Sequence, residues 1–322
     1  MNKPVVLLID TLHPAFIDTL TQHGVDYIEG YHLTKEEILE SKHLYNGMAI
    51  RSRFKLDESF LNSLTNTVVI GRAGAGMENI DAIAATSNKI ELVNAPEGNK
   101  DAVGEHAIGM LLALNNHLIR VNQEVRNGIW RREENRGVEI QGKTIAVIGF
   151  GNMGRAFAKK LQGFESNIIV YDPYIKISKA NFPYVSQVDL EAVFNEADII
   201  SLHIPLTEET NQMVNERFLN SFKKEITVIN TARGKVVNTQ ALVNAMKEGK
   251  VKYAALDVIE YESISFENLD TSKLPEAFQY LIKSDRVLLS PHIAGWTLES
   301  NTKIATTLAN KMIEVFKGRK LL

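Results

Sequence analysis

The stretch Lys143–Asp172, KTIAVIGFGNMGRAFAKKLQGFESNIIVYD, limits what this chain can fold into more than any other. Thr144–Ile148 is a short, apolar, β-branched run that reads as a buried strand. Gly149-Phe150-Gly151-Asn152-Met153-Gly154 leads from it straight into an amphipathic helix ending near Leu161, and a second buried strand over Asn167–Tyr171 stops at Asp172. An acid about twenty residues beyond the glycines completes the pattern of a dinucleotide-binding βαβ unit. Gly149 permits the tight turn, Gly151 lets the backbone approach a pyrophosphate, and Gly154 allows close helix–strand packing, while free N–H groups at the helix start face the anion. Asp172 can accept hydrogen bonds from both ribose hydroxyls and would repel a 2′-phosphate, so the motif points to NAD rather than NADP. A glycine turn with no ligand would explain the three glycines alone, but not strand, helix and acid in register.

At 322 residues the chain exceeds the roughly 100–150 of a typical single domain, so two domains are expected. A formal net charge of −3 gives no electrostatic footprint for nucleic acid or an anionic membrane, and leaves small anionic substrates allowed. The absence of cysteine removes disulfides, thiolate nucleophiles and zinc–sulfur sites, and no metal is called for. The N-terminal apolar run Val5–Ile9 is closed by Asp10, His13 and Pro14, too soon for a signal peptide or a membrane span. A soluble, cytoplasmic protein is the expectation.

Up to residue 95 short β-like runs alternate with helical ones. Strands are expected at Val5–Ile9, Val25–Ile28, Met48–Arg51, Val68–Arg72 and Ile90–Val93. Helices are expected near Ala15–Gln22, after the capping box Thr34-Lys35-Glu36-Glu37, and over Asp57–Leu64 with Asp57 as N-cap. This resembles a flavodoxin-like open sheet. The breaker-rich Asn94–Asn99 precedes one long helix over Ala102–Arg126, stopped by Asn127-Gly128 and crossing a domain boundary. Beyond the central unit, strands near Ile199–Leu202, Thr227–Asn230, Ala254–Asp257 and Val287–Leu289 complete a six-stranded doubly wound sheet, with helices such as Leu190–Asn195 and Thr239–Glu248 between them. No element is assigned in Tyr261–Asp285, although Leu281 and Ile282 are candidates for packing. Leu298–Lys317 reads as a last long helix. The fold class is therefore α/β, with two doubly wound parallel-sheet domains: a Rossmann NAD-binding domain at 99–293 inserted in a flavodoxin-like substrate domain formed by 1–98 and 294–322.

In open α/β sheets ligands bind beyond the carboxyl ends of strands, which draws attention to Arg233, Glu262 and His292. A histidine beside a carboxylate can pass a proton near neutral pH, and an arginine fork can grip a carboxylate through two parallel bonds. Those are the parts needed to exchange hydride between NAD and a 2-hydroxy acid. Each also has a plain structural reading, and position alone does not separate Glu262 from Glu260.

Seven stretches then carry a resemblance: GRAGAGMENID (71–81), NAPEGNKDAVGEHAIGMLLAL (94–114), VIGFGNMG (147–154), SLHIPLT (201–207), INTARG (229–234), ALDVIEYE (255–262) and SPHIAG (290–295). Through them the chain resembles the D-isomer-specific 2-hydroxyacid dehydrogenases from end to end, especially the phosphoglycerate dehydrogenase branch. The resemblance implies Arg233 as substrate anchor and carbonyl polariser, His292 as proton donor or acceptor, and Glu262, five positions after Asp257, as its partner. It implies Asn152 and Met153 at the pyrophosphate, Ile204 and Pro205 on the adenine side, Thr231 and Asp257 at the nicotinamide, and His203, Ala232, Ala294 and Gly295 as further cofactor-binding residues. Ala75 and Gly76 would offer N–H groups to the substrate carboxylate. Arg51 and Arg53, two apart at a strand end, could share one face, and with Arg72 they look like that branch's anion-binding residues; a solvated basic strand end would look the same. Trp130-Arg131-Arg132 matches an arm that reaches a neighbouring subunit's site, or is a basic surface loop. A homodimer is implied, and a small anionic 2-hydroxy or 2-keto acid as substrate.

Three features depart from the family pattern. Ser263 stands where a proline is usual, the stretch from Glu262 to His292 is long, and the chain stops at Leu322 without a regulatory serine-binding domain, so feedback control of that kind is expected to be absent. Within the chemistry, D-3-phosphoglycerate is the leading substrate, with glyoxylate or hydroxypyruvate as the alternative. A non-catalytic NAD(H)-sensing scaffold is the reading from a different class.

Overall fold

Each apolar run of the N-terminal region becomes a parallel strand; those in the middle of the sheet are covered on both faces, while Asp26–Glu29 at its edge is exposed. The computed structural model describes residues 3–262 and 274–322. Within it the chain divides into two units, one running to Asn99 and resuming at Trp296, the other Lys100–Gly295.

The first unit contains β1 (Val5–Leu8), α1 (Pro14–Gln22), β2 (Asp26–Glu29), α2 (Lys35–Glu40), β3 (Gly47–Ile50), α3 (Glu58–Ser63), β4 (Val69–Arg72), α4 (Ala82–Ser87) and β5 (Glu91–Asn94). Its parallel sheet has the order β2-β1-β3-β4-β5. The strand order reverses between β1 and β3, which opens a crevice at their carboxyl ends. The helix over Leu298–Gly318 returns to this unit, and its Leu308, Met312 and Phe316 join Val6, Leu8, Ala49 and Val69 in one core. Burying each of these side chains larger than alanine contributes about 1.5–3 kcal/mol. Thr34 and Glu37 form the reciprocal capping box that starts α2, with Glu37 accepting from the Thr34 N–H at 2.7 Å.

The helices and strands that follow β5 are α5 (Pro96–Asn115), α6 (Leu118–Arg126), β6 (Thr144–Ile148), α7 (Asn152–Leu161), β7 (Asn167–Tyr171), β8 (Ser186–Gln187), α8 (Leu190–Glu196), β9 (Ile199–Leu202), α9 (Glu216–Ser221), β10 (Ile226–Asn230), α10 (Thr239–Lys247), β11 (Val251–Leu256), α11 (Glu276–Lys283) and β12 (Val287–Leu289), before α12 (Leu298–Gly318). The second sheet is parallel throughout, in the order β12-β11-β10-β9-β6-β7-β8. Its switch point lies between β6 and β9. Alternation along β6 sends Ala146 and Ile148 into one core and Ile145 and Val147 into the other, so both faces are apolar and the strand reads as one unbroken hydrophobic run.

The structure corrects four details of the sequence reading. Asn94–Asn99 is not a breaker: Pro96 opens α5, where a missing N–H costs nothing, and Gly98 is small because a Cβ there would lie 2.5 Å from the Ile304 backbone nitrogen. The long helix is two helices, since His117 takes a left-handed φ of +53° and sets its ring edge-on to Tyr253. The second sheet has a seventh strand, β8, too short to carry a periodic signal. The region left unassigned holds α11, in which Leu281 is buried and Ile282 exposed. Ser263 lies outside the described residues. No helix among the described residues is long and apolar enough to cross a membrane.

Candidate active site

Three adjacent strands of the second sheet, β10, β11 and β12, end in loops that carry Arg233, Glu262 and His292. After β12 the chain turns through Ser290-Pro291-His292, and His292 takes a left-handed φ of +56°, an uncommon conformation for a side chain with a Cβ. Its N–H donates to the Asp257 carbonyl at 2.8 Å, and its Nδ1 lies 2.9 Å from Glu262 Oε2. A proton on Nδ1 satisfies that contact. Glu260 has other partners: Oε2 accepts from the first N–H of α10, at Thr239, and Oε1 from Gln212. The two acids that position alone left equivalent are thus separated by their hydrogen bonds.

Asp257, only 1% exposed, shapes the His292 loop from beneath. Oδ1 accepts from Ser290 Oγ at 2.6 Å and from the Ile293 N–H at 2.9 Å, and Oδ2 accepts from the Ala294 N–H at 2.9 Å. His106 Nε2, on α5, sits 3.0 Å from Ser290 Oγ and 3.5 Å from Asp257 Oδ1. The sequence reading missed His106 and Ser290, although both lie in motifs it used, because a contact across 184 positions leaves no local signal. It also missed Asn230, whose buried amide donates to the Arg233 carbonyl and accepts from the Ala232 N–H, building the turn that presents Arg233. Arg233 is half-buried, with Nη1 donating to the Ala232 carbonyl at 2.7 Å.

The residues expected to hold NAD fit that group. Gly149 takes a φ of +91°, and a Cβ there would lie 2.6 Å from the His203 carbonyl oxygen; a Cβ at Gly154 would lie 2.1 Å from the Gly149 oxygen. At Gly151 a Cβ would meet nothing within 4 Å, so the space beside the start of α7, with Asn152 and Met153, is open to a phosphate. Thr231 Oγ1 is buried without a hydrogen-bond partner, as is His203 Nδ1. Burial holds His203 neutral, with its pKa pushed down to about 3, while Nε2 contacts Ser201 Oγ at 2.9 Å. Ile204 is half-buried and Pro205 exposed beyond β9. Asp172 Oδ2 accepts from the Phe150 N–H, and Oδ1 from the N–H groups of Tyr174 and Ile175. Oδ2, with a single internal partner, stays open toward the ribose. Ala232 and Ala294 are buried and Gly295 half-buried at the strand ends.

In the first unit the expected anion-binding residues lie beyond β3 and β4. β3 ends at Ile50, and Asp10 Oδ2 accepts from the N–H groups of Arg51, Ser52 and Arg53 at 2.6, 3.2 and 3.3 Å. The chain therefore wraps a carboxylate instead of continuing as a strand, and the alternation that would set Arg51 beside Arg53 does not apply. Arg53 Nη1 donates to the carbonyls of Gly30 and Ile9, at 3.0 and 3.3 Å, whereas the Arg51 guanidinium lies over Trp296. Arg72 ends β4 half-buried, its guanidinium against Gly74. Asn94 Nδ2 donates to the Ala75 carbonyl at 2.6 Å. Among the described residues, the N–H groups of Ala75 and Gly76 make no internal hydrogen bond, so both can receive an anion. In the second unit Arg131 folds back to Glu124 at 2.7 Å, while Trp130 is 76% exposed.

Residues 108–294 match the model of the D-isomer specific 2-hydroxyacid dehydrogenase family, NAD binding domain. The chain is 34% identical over 313 residues to D-3-phosphoglycerate dehydrogenase of Archaeoglobus fulgidus, covering 97% of this chain and 57% of that protein. It is 35% identical over 315 residues to the protein of the same name from Methanocaldococcus jannaschii, with the same two coverages. It thus spans little more than half the length of these relatives. Among solved structures, D-lactate dehydrogenase from Aquifex aeolicus, complexed with NAD and lactic acid, superposes with a TM-score of 0.80 at 26% identity, over 99% of this chain and 97% of that one.

Proposed function

Because the chain belongs to the D-isomer specific 2-hydroxyacid dehydrogenase family, we propose that it is an NAD-dependent oxidoreductase exchanging hydride with C2 of a small D-2-hydroxy or 2-keto acid. The observation that carries this reading is the Glu262–His292 contact of 2.9 Å at the carboxyl end of the sheet, one strand from Arg233. Bound NAD supplies hydride acceptance and donation at the nicotinamide C4. In reduction His292 Nε2 gives a proton to the carbonyl oxygen, and Glu262 compensates the imidazolium before the transfer. Arg233 holds the substrate and stabilises negative charge developing on that oxygen. In oxidation neutral His292 removes the hydroxyl proton. Asp257, with Ser290 and His106 behind it, fixes the loop from which His292 acts.

D-3-phosphoglycerate is the proposed substrate. Arg51 and Arg72 supply positive charge beyond β3 and β4, Ala75 and Gly76 supply open N–H groups, and the relatives named phosphoglycerate dehydrogenase align over nearly the whole chain. Arg53, the third member of that group, also donates to the Ile9 and Gly30 carbonyls. The matching assembly is a cytoplasmic homodimer joined through α6 and the segment after it, where Leu118, Ile119, Val125, Ile129 and Trp130 expose apolar surface. Following nicotinamide absorbance on a panel of 2-keto acids tests the substrate. Phosphohydroxypyruvate should be reduced with the highest kcat/KM; equal values for hydroxypyruvate or glyoxylate reject the phosphate preference. Tight NADH binding without turnover of any 2-keto acid rejects the enzyme and favours a sensing scaffold.

A further inference from the structure

Arg51 and Trp296 come from the two separate stretches of chain that build the first unit and meet with the guanidinium carbon 4.8 Å from the ring centroid. Arg51 is anchored at its backbone, because its N–H donates to Asp10 at 2.6 Å in the crevice where the strand order reverses. Trp296 is 69% exposed, so its ring covers little core of its own. Stacking occupies a face of the guanidinium and leaves its in-plane N–H donors unused. Among the described residues the Arg51 side chain makes no hydrogen bond, in contrast to Arg53, which donates to two backbone carbonyls. A guanidinium held by one face with an open edge suits a bidentate partner such as a phosphate or a carboxylate. Preorganisation by the ring lowers the rotamer entropy lost when that partner binds.

We propose that Trp296 is a specificity-determining residue, whose ring holds Arg51 in position to take the second anionic group of a small 2-keto or 2-hydroxy acid. This rests on the substrate reading above and adds a residue to it. Trp296 touches Arg51 rather than the reacting carbon, so it acts on the choice of substrate through the guanidinium.

The test compares kcat/KM for phosphohydroxypyruvate, oxaloacetate and hydroxypyruvate in the wild-type enzyme and in Trp296→Phe, Trp296→Leu and Arg51→Gln. Phe keeps a ring face and Leu keeps only apolar bulk. The wild-type preference for a second anion should largely persist in Trp296→Phe and fall about twofold to fivefold in Trp296→Leu, matching the modest strength of an exposed cation–π contact. Arg51→Gln should abolish it. The phosphate and carboxylate arms tell which anion the edge prefers, and either preference, lost with the ring, supports the proposal. A wild-type preference that survives Trp296→Leu intact overturns the role of Trp296 and leaves the substrate reading standing. Equal wild-type values on all three acids defeat the substrate reading, and this inference with it.

Discussion

Replacing Asp257 by Asn should disarm the His292 loop while both sheets stay folded. The carboxylate is 1% exposed and accepts from Ser290 Oγ, the Ile293 N–H and the Ala294 N–H at 2.6, 2.9 and 2.9 Å. An amide of the same shape must turn its NH2 toward Ile293 or Ala294, so one donor meets another. The lost bond to a charged acceptor costs about 1.5–3 kcal/mol, and the buried N–H left unpaired adds about 1–3 kcal/mol. That strain falls on a segment already held in a left-handed turn at His292. A catalytic group misplaced by about 1 Å can cost about 10²-fold in rate, so kcat should fall by that order. Hydrogen exchange followed by mass spectrometry supplies the structural readout: the segment containing Ile293 and Ala294 should exchange at least about tenfold faster, while β6 remains protected. An Asn variant with wild-type kcat and unchanged exchange in that segment would refute the assignment of Asp257 as the clamp.

Other expectations follow from single contacts. His203 is neutral in the fold, with a pKa near 3 against about 6.5 in the unfolded chain, so stability should fall as pH drops from about 6.5 toward 3, by about 1.4 kcal/mol per unit. Urea unfolding at pH 7 and pH 5 should show a shallower pH dependence for His203→Asn, and equal slopes would count against buried neutrality. Gly154→Ala places a Cβ 2.1 Å from the Gly149 oxygen and must push α7 away from the glycine turn. NADH affinity by calorimetry should drop about tenfold, in line with the about 1–3 kcal/mol of overpacking, and wild-type affinity would contradict the packing. Glu260→Gln should lower stability by about 0.5–2 kcal/mol by weakening the start of α10, with little change in kcat. Glu262→Gln should do the reverse, cutting kcat about 10²-fold in the absorbance assay, and a reversed pattern would exchange the two roles.

Much of this molecule is readable in its sequence because the central strands of its parallel sheets are buried on both faces. Thr144–Ile148 and Ile226–Asn230 are mostly apolar runs buried along nearly their whole length, and their ends point to the loops that carry the candidate site. The features that escaped are those made by distant partners. Nothing near His117 says that Tyr253 will meet its ring, and nothing near Gly98 says that Ile304 will approach it. Arg51 and Arg53 look alike as neighbours of a strand end, yet Asp10 bends the backbone and gives their side chains different partners. Glu260 and Glu262 were equivalent by position, and only hydrogen bonds to α10 and to His292 distinguish them. His106 was present in a recognisable motif, but its contact with Ser290 belongs to tertiary structure.

The proposed chemistry has His292 exchange the substrate proton while hydride passes to or from NAD. Measuring kcat for 2-keto acid reduction and the NADH dissociation constant side by side, in the wild type and in His292→Gln, addresses it directly. In His292→Gln kcat should fall about 10²–10⁴-fold with NADH affinity nearly unchanged. A His292→Gln enzyme that turns over as fast as the wild type would contradict it.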